Sequence, residues 1–302
     1  MKRLSKSMVV CFMAAIMMMT VGCQKEDIAP IIPDTPIIPD TPIIPDGALP
    51  GLFSVSATQQ VYFSQGNLQY QASTNTWRFA EHQYDYVGTQ TSDGFGYYGG
   101  NVSGSDNHYI SSTYGGWIDL FGWGTGSNPT LSPVDGDYGA FVDWGCNPIS
   151  NGGNTNNLWR TLTKSEWDYL FNSRTDASSK CGTGNINGVG GLIILPDSWT
   201  LPSECSFASG FATINPNTHP DWTHNSYTLA QWAQMEAAGA VFLPAAGYRN
   251  GTRVNNAGFG HYWSSTPLKD VAYYMIFSSY DLKATKFYNR NYGFSVRLVQ
   301  DN

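Results

Sequence analysis

The sequence of 302 residues predicts an α+β domain of antiparallel sheets and two helices over residues 51–302. Three observations predict this class: short alternating patterns typical of strands open the domain, two capped helical segments follow, and strand patterns separated by turns close it. Only 13% of the residues are charged, whereas Tyr, Phe and Trp number 18, 15 and 10. This balance is typical of a turn-rich β domain whose surface makes contacts through rings, hydroxyls and amides.

The opening strands are predicted at residues 53–56, 61–64 and 67–70, where residue types alternate and Gly66 marks a turn. The stretch 88–126 is rich in Gly, Ser, Asp and aromatic residues, which favours an irregular loop. Together these patterns predict a short antiparallel meander followed by a long connection.

Two segments are predicted to be helices, and each begins with a capping box. In residues 163–166, Thr-Lys-Ser-Glu, the first and last side chains can each accept a hydrogen bond from the other's backbone N–H. Trp167, Leu170 and Phe171 then share one face at helical spacing. Residues 228–231, Thr-Leu-Ala-Gln, repeat the capping pattern for the second helix.

The closing strands are predicted at residues 240–243, 262–265, 271–277, 282–288 and 294–299. Residues 271–277 are apolar on both faces, so this strand should be central in its sheet. The order of strands, two helices and a closing antiparallel sheet is what assigns the chain to the α+β class.

Residues 1–22 have the pattern of a signal peptide, with a basic start and then a 12-residue apolar run at 8–19. The run is too short to span a bilayer, which needs about 20 apolar residues. The segment resembles a bacterial lipoprotein signal, in which the Cys after a small residue is acylated, and this implies a lipid anchor on Cys23. An ordinary secretory signal with an incidental Cys23 is the alternative. Acidic residues 26 and 27 resemble the export tag of Bacteroides-group lipoproteins, which implies an outer-membrane protein exposed at the cell surface.

Residues 23–50 are predicted to be a lipid anchor and a Pro-rich linker without fixed structure. Within them, residues 31–46 repeat the hexapeptide Ile-Ile-Pro-Asp-Thr-Pro. Frequent Pro fixes φ and removes backbone donors, so a helix or an inner strand cannot form there. An extended, polyproline-like tract of this length spans about 50 Å and would hold the domain away from a membrane.

Four stretches of the domain resemble one known family. They are Val-Tyr-Phe-Ser-Gln-Gly-Asn-Leu-Gln-Tyr at 61–70, Trp-Arg-Thr-Leu-Thr-Lys-Ser-Glu-Trp at 159–167, Leu-Pro-Ala-Ala-Gly-Tyr-Arg at 243–249 with Tyr-Trp-Ser-Ser at 262–265, and Gly-Phe-Ser-Val-Arg-Leu-Val at 293–299. In this order they resemble the Fibrobacter succinogenes major paralogous domain, which occurs in surface lipoproteins of gut Bacteroides. That family is related to the formylglycine-generating-enzyme branch of the C-type-lectin fold. The resemblance implies a C-type-lectin-like domain over residues 51–302.

The resemblance also implies a ligand-binding face on the late strands and loops, before the last strand. The residues it places there are Trp263 at the floor, and Tyr280, Asp281, Tyr288, Asn289, Asn291 and Tyr292. Tyr rings supply contact area at a low entropy cost, and Asn amides supply adaptable hydrogen bonds. The alternative is that these are turn and surface residues without a ligand.

The same resemblance bears on catalysis. Formylglycine-generating oxidases use a pair of active-site cysteines, one of them close to the C-terminus. This sequence has five cysteines and none after Cys205. Because Tyr and Asn cannot replace a thiolate as a soft metal ligand, the prediction is a non-catalytic binding domain.

Two further groups of residues are candidate sites. Asp135, Asp137 and Asp143 are candidate ligands for Ca²⁺, the one cofactor the sequence suggests, although they lack the spacing of an EF-hand. Cys181 and Cys205 are candidates for a disulfide in an oxidising compartment, and free thiols are the alternative.

The charge balance limits the class of partner. Removal of residues 1–22 takes away three of the 16 cations, which leaves 13 against 23 anions and a net charge of about −10. A chain this acidic and without a Lys/Arg cluster is not expected to bind nucleic acid. The sequence therefore predicts a surface lipoprotein that contacts the membrane through its lipid and binds an extracellular glycan or protein. The alternatives are a divergent formylglycine-generating-type enzyme and a structural envelope lipoprotein without a ligand.

Overall fold

The computed structural model describes residues 43–87, 111–131, 139–213, 221–251, 253–255 and 258–302. The chain divides into two units, residues 1–42 and 43–302, and all of the described residues belong to the second. The predicted signal peptide, the lipidation site Cys23 and most of the Pro-rich linker therefore lie outside the described residues. The first strand begins at Ala48, slightly before the predicted start of the domain at residue 51.

The described residues form short strands and two α-helices, which confirms the α+β class. The helices are α1 (Lys164–Asn172) and α2 (Leu229–Ala237). The strands are β1 (Ala48–Ser54), β2 (Gln60–Ser64), β3 (Leu68–Gln71), β4 (Thr76–Phe79), β5 (Trp117–Ile118), β6 (Arg160–Thr161), β7 (Cys181–Ile186), β8 (Val189–Ile194), β9 (Ser226–Tyr227), β10 (Val241–Pro244), β11 (Tyr248–Asn250), β12 (Arg253–Asn255), β13 (Gly260–Leu268), β14 (Val271–Phe277), β15 (Leu282–Asn289) and β16 (Leu298–Asp301). Among the described residues, no helix has the length and the apolar composition that a membrane-spanning helix needs.

The strands assemble into several small sheets. Their orders are β1-β2-β16-β6, β10-β8-β7-β9, β13-β14-β15, β4-β3-β5 and β11-β12. The named strand pairs are antiparallel apart from β7 with β9. Strand β14 lies between β13 and β15, as its apolar residues on both faces predicted.

Helix α1 begins at the predicted capping box. Thr163 Oγ1 accepts a hydrogen bond from Glu166 N at 3.2 Å, and Glu166 Oε2 accepts one from Thr163 N at 2.7 Å. The predicted apolar face, Trp167, Leu170 and Phe171, is buried. Local hydrogen bonding therefore determines where this helix starts, and apolar spacing determines which face it buries.

The two ends of the domain meet in one sheet. Strand β16 pairs with β2, where Val299 lies opposite Phe63, and with β6. Trp167 of α1 packs on this sheet, with its ring centroid 6.2 Å from that of Phe63. These residues belong to the first core cluster, which also contains Leu192 and Ile194 of β8.

The hairpin β7–β8 was not predicted, because its sequence is rich in Gly and carries the signal of a turn. The glycines are required by close neighbours rather than by a turn. A Cβ on Gly184 would lie 2.6 Å from the carbonyl oxygen of Asn225, and one on Gly190 would lie 2.4 Å from the Trp222 ring. Glycine occurs in these strands because other atoms lie too close to the backbone to leave room for a side chain.

Side chains of β8 alternate between two core clusters on opposite faces of its sheet. Leu192 and Ile194 belong to the first cluster, and Ile193 belongs to a third cluster that covers α2 through Trp232 and Met235. A second cluster, around Trp263 and other aromatic residues of β3–β5 and β13–β14, lies beneath the last segment of the chain.

The cap at Thr163 gives a direct test of the fold. Thr163→Ala should lower the free energy of unfolding by about 1 kcal/mol, since the N-terminus of α1 loses its side-chain acceptor. Urea unfolding followed by circular dichroism measures the change. Ser165→Ala, at an exposed position in the same helical turn, is the matched control and should be close to neutral. Equal stability of the Thr163→Ala variant and the wild type would contradict the cap.

Candidate functional site

Aromatic side chains surround a cavity of about 130 Å³ on the β13–β15 sheet. We call these lining residues the aromatic cage: Tyr248, His261, Tyr274, Tyr288, Tyr292 and Phe294. They come from four strands and from the segment that follows β15. The cavity is open to solvent on one side, because Tyr288 is 43% exposed while Phe294 is 2% exposed.

The rings of the cage form a closed circuit. Ring centroids are 5.8 Å apart for Tyr248–Tyr292, 4.5 Å for Tyr292–Tyr288, 6.4 Å for Tyr288–Tyr274, 5.8 Å for Tyr274–His261 and 5.1 Å for His261–Tyr248. Phe294 lies between 4.8 and 6.5 Å from each of these five rings. Phe294 is therefore the floor, and the other five rings are the wall.

Strand register places three wall residues on one face of the sheet. In β13, His261 is two residues from Trp263, which lies opposite Tyr274 of β14. In β15, Tyr288 lies opposite Ala272, which is two residues from Tyr274. Since side chains alternate along a strand, His261, Tyr274 and Tyr288 project to the same side.

Backbone hydrogen bonds hold the remaining part of the cage. Phe294 exchanges two hydrogen bonds of 3.0 Å with Phe121, one through each backbone N–H. Gly293 likewise pairs with Arg249, at 2.8 and 2.9 Å, and Arg249 follows Tyr248 in β11. The floor and the Tyr248 side of the wall are thus fixed to each other by main-chain contacts.

His261 is a buried, neutral imidazole. The ring is 7% exposed, and burial lowers its pKa to about 3, although the backbone of Gly247 acts in the opposite direction. Its Nδ1 makes no hydrogen bond with the described residues. A buried nitrogen without a partner costs folding free energy, which makes it a candidate contact for a ligand.

Two phenols of the cage also stay neutral. Burial raises the pKa of Tyr274 to about 12 and that of Tyr292 to about 12, with the nearby Tyr288 acting in the same direction. The Tyr292 hydroxyl accepts a hydrogen bond of 3.1 Å from Asn250 Nδ2. None of the six cage residues is Asp, Glu, Lys, Arg or Cys. The cage offers ring faces, hydroxyls and one imidazole, which suits binding rather than acid–base or nucleophilic catalysis.

The predicted ligand face is divided by the structure. Tyr288 and Tyr292 line the cage, whereas Tyr280 and Asp281 line a second cavity of about 210 Å³ at the other end of the β14–β15 hairpin. In that second cavity the Asp281 carboxylate accepts a hydrogen bond of 2.9 Å from Lys283 Nζ. The predicted residues therefore belong to two places on the hairpin.

Two predicted contact residues lie outside both cavities. Asn289 is exposed at the end of β15, and Asn291 is half-buried in the turn that follows. Neither residue lines the aromatic cage or the second cavity.

Trp263, predicted at the floor, lies one layer deeper. Its side chain is 1% exposed, its ring centroid is 4.2 Å from that of Phe294, and its Nε1 donates a hydrogen bond of 2.7 Å to the Phe121 carbonyl. Phe294 separates it from the cavity. Trp263 supports the floor, and it does not form the floor as predicted.

Four cage residues were missed by the sequence analysis: Tyr248, His261, Tyr274 and Phe294. Each lies in or beside a stretch that was noted for another reason, namely a family motif or an apolar strand. A Tyr or His among apolar residues of a buried strand is a weak signal, because such residues are common in cores. Their convergence depends on contacts between strands that the sequence does not show.

Asp143 has a structural role. Its carboxylate accepts hydrogen bonds from Gly145 N at 3.1 Å, from Thr161 N at 2.9 Å and from Thr161 Oγ1 at 2.9 Å. The other two candidate calcium ligands, Asp135 and Asp137, lie outside the described residues. Within the part of the chain that the structure describes, no group of three or more His, Cys, Asp or Glu residues could hold a metal ion.

Cys181 and Cys205 are free thiols, as is Cys146, which agrees with the alternative to a Cys181–Cys205 disulfide that the sequence left open. Cys181 lies in β7 and packs in the first core cluster, whereas Cys205 packs against the third cluster. These clusters lie on opposite faces of the sheet that contains β7 and β8, so the sheet separates the two sulfurs. Burial raises the pKa of Cys181 to about 12, and its thiol is protonated at neutral pH.

Comparison with known proteins returned no similarity. No protein-family model matches the chain, and neither a curated protein nor a solved structure matches it. The function is therefore inferred from the geometry of the cage together with the sequence motifs.

His261 should make stability depend on pH. The unfolded imidazole takes up a proton near its ordinary pKa of about 6.5, while the folded one stays neutral down to about 3. Between these values the unfolded state binds more protons. The free energy of unfolding should therefore fall as the pH is lowered, by up to about 1.4 kcal/mol per pH unit from this group.

Urea unfolding of the wild type and of His261→Gln at several pH values between 7 and 4 measures this effect. The variant should show a shallower decline, because Gln does not titrate. A substitution of the exposed His82 is the matched control. Parallel pH dependence of the wild type and His261→Gln would contradict a buried neutral imidazole.

Asp143→Ala should lower the free energy of unfolding by about 1–3 kcal/mol, because the Gly145 and Thr161 donors lose their acceptor. The loss should be the same in calcium and in chelator. Asp281→Ala removes an exposed carboxylate and should change stability by less than about 0.5 kcal/mol. A loss that appears only in the presence of calcium would show instead that Asp143 is a metal ligand.

Proposed function

We propose that this protein is a cell-surface lipoprotein whose C-type-lectin-like domain binds an extracellular glycan or protein, without catalysis, in the aromatic cage. The observation that carries the proposal is the cage itself: a solvent-open cavity with a closed wall of rings and a buried floor. Concave sites lined by aromatic residues with a few polar groups are the usual form of a ligand site.

The position of the cage supports the proposal. It lies on the late strands and in the segment before β16, where the resemblance to the major paralogous domain implies a ligand face. Tyr288 at the rim is 43% exposed, so a ligand can reach it, and the other rings are held by contacts with Phe294. A rigid aromatic surface loses little conformational entropy when a ligand binds.

The lining favours binding over the oxidase chemistry of the related enzymes. That chemistry uses thiols, and the three described cysteines lie outside the cage. The cage also lacks a carboxylate, so its polar groups are hydroxyls and a neutral imidazole. These groups orient a ligand and do not activate one.

The N-terminal sequence supports attachment at the cell surface. The proposal includes acylation of Cys23 and a Pro-rich spacer that ends at Asp46. Strand β1 begins at Ala48, so the repeat leads almost directly into the folded domain. Such a spacer would present the domain to extracellular ligands rather than to nucleic acid, in agreement with the acidic charge balance.

A substitution at the rim tests the proposal. Residues 23–302, produced without acylation, are screened on arrays of glycans and extracellular proteins. Tyr288→Ala should weaken binding to the identified ligand about tenfold or more, because one aromatic ring of the cage wall is lost. The melting temperature should change by no more than about 4 °C, since Tyr288 is 43% exposed and lies at the rim of the cage.

Phe287→Ala is the matched control. Phe287 is the neighbouring residue in β15, is 57% exposed and projects to the opposite face of the sheet. This variant should bind as the wild type does. Equal binding by Tyr288→Ala and Phe287→Ala would overturn the assignment of the cage as the ligand site.

A further inference from the structure

We propose that the aromatic cage recognises a methylated ammonium group, so that its ligand is an organic cation with a quaternary or highly methylated nitrogen. The inference rests on the proposed function, in that it takes the cage to be the ligand site.

Ring orientation is the first argument. The Tyr288 and Tyr292 planes meet at 89°, the Tyr274 and Tyr288 planes at 79°, and the Tyr248 and His261 planes at 68°. Of the adjacent wall pairs, His261 and Tyr274 are nearly parallel, with their planes 16° apart. A sugar ring stacks on a flat aromatic platform, whereas three of the five adjacent wall pairs meet at steep angles and enclose the cavity. Rings that enclose a small space on several sides suit a compact, nearly spherical group.

The electrostatics of the rings is the second argument. The face of an aromatic ring carries negative charge, and it attracts a cation within about 6 Å of the ring centroid. Several phenol and phenyl rings surround one cavity of about 130 Å³, so a cation there meets more than one of them. Such contacts strengthen when water is excluded, and the floor residue Phe294 and the wall residue Tyr274 are both buried.

The absence of positive charge in the wall is the third argument. A protonated His261 would repel a cation, but its pKa of about 3 keeps the ring neutral at every physiological pH. None of the six lining residues is Lys or Arg. The mature chain is acidic as a whole, with 13 cations against 23 anions after residues 1–22. The site therefore accepts positive charge without an opposing group in its lining.

The supply of hydrogen-bond acceptors is the fourth argument. An unmethylated ammonium brings three N–H donors, each of which needs an acceptor when it is buried. The cage has no carboxylate, and its acceptors are neutral oxygens and nitrogens, of which the Tyr292 hydroxyl already accepts a hydrogen bond from Asn250 Nδ2. A methylated nitrogen instead presents methyl groups to the rings, and methyl groups need no hydrogen-bond acceptor. The unpartnered Nδ1 of His261 suits one additional polar group on the ligand, such as a hydroxyl.

Choline provides the test, because its neutral isostere dimethylbutanol has a tert-butyl group in place of the trimethylammonium group. Residues 23–302 are titrated with each compound, and binding is followed by calorimetry and by the NMR signals of the aromatic side chains. Choline should bind about tenfold more tightly or better than the neutral isostere. Equal binding of the two compounds, or no binding of choline, would overturn the proposal.

Variants assign the binding to the cage. Tyr288→Ala should weaken choline binding about tenfold, Tyr288→Phe should retain most of it because the ring face remains, and Phe287→Ala should leave it unchanged. If Tyr288→Phe behaves like Tyr288→Ala, the hydroxyl rather than the ring face is the contact, and the proposal fails.

A further experiment distinguishes two sources of the trimethylammonium group. Vesicles of phosphatidylcholine present the trimethylammonium group as a lipid headgroup, whereas choline presents it as a small solute. Binding of both identifies a membrane ligand, and binding of choline alone identifies a soluble one; either result supports the inference.

Failure of the inference and failure of the proposed function give different results. If choline does not bind but an array ligand does, and Tyr288→Ala abolishes that binding, the cage is a ligand site for another chemistry. If Tyr288→Ala leaves the array ligand bound as tightly as before, the proposed function itself is wrong.

Discussion

The second core cluster and the cavity both depend on the packing of Phe294, which lies between them. Its backbone pairs with Phe121 through two hydrogen bonds, and its ring lies 4.2 Å from Trp263 on the buried side. On the other side, the same ring is the floor of the aromatic cage. A shift of Phe294 would therefore disturb the second core cluster and the ligand site together, because protein interiors are close-packed and transmit displacement.

This arrangement explains how the segment before β16 is held against the site. Residues 293–295 pair in turn with Arg249, Phe121 and Tyr262, before β16 enters the sheet beside β2. The chain is thus held on several sides as it passes the cage. Tyr288, before this segment, is left at the rim, where substitution changes the exposed surface more than the core.

The neutral charge state of the cage has an energetic origin. Burial disfavours the charged form of an imidazole, and it disfavours the ionised form of a phenol. His261 is accordingly held unprotonated, and Tyr274 and Tyr292 are held protonated. The fold sets the protonation states, and the site remains uncharged while its rings supply the polar character through their quadrupoles.

The sequence by itself determined the elements that depend on neighbouring residues. Both helix starts follow from capping boxes within four residues, and the central place of β14 follows from its apolar residues on both faces. The hairpin β7–β8 was not predicted from the sequence. Its glycines are required by close contacts with residues that are distant along the chain, such as the Asn225 carbonyl and the Trp222 ring.

The site was only partly accessible from the sequence, since Tyr288 and Tyr292 were identified but the rest of the wall was not. Tyr248, His261 and Tyr274 lie in three different strands and meet through strand register and the β11 contact with residue 293. The sequence gives no local pattern for such a meeting, because the energy that brings these rings together comes from burial of the whole sheet and not from neighbouring residues. Tertiary structure alone decided that Phe294 is the floor, that Trp263 lies beneath it and that His261 is neutral.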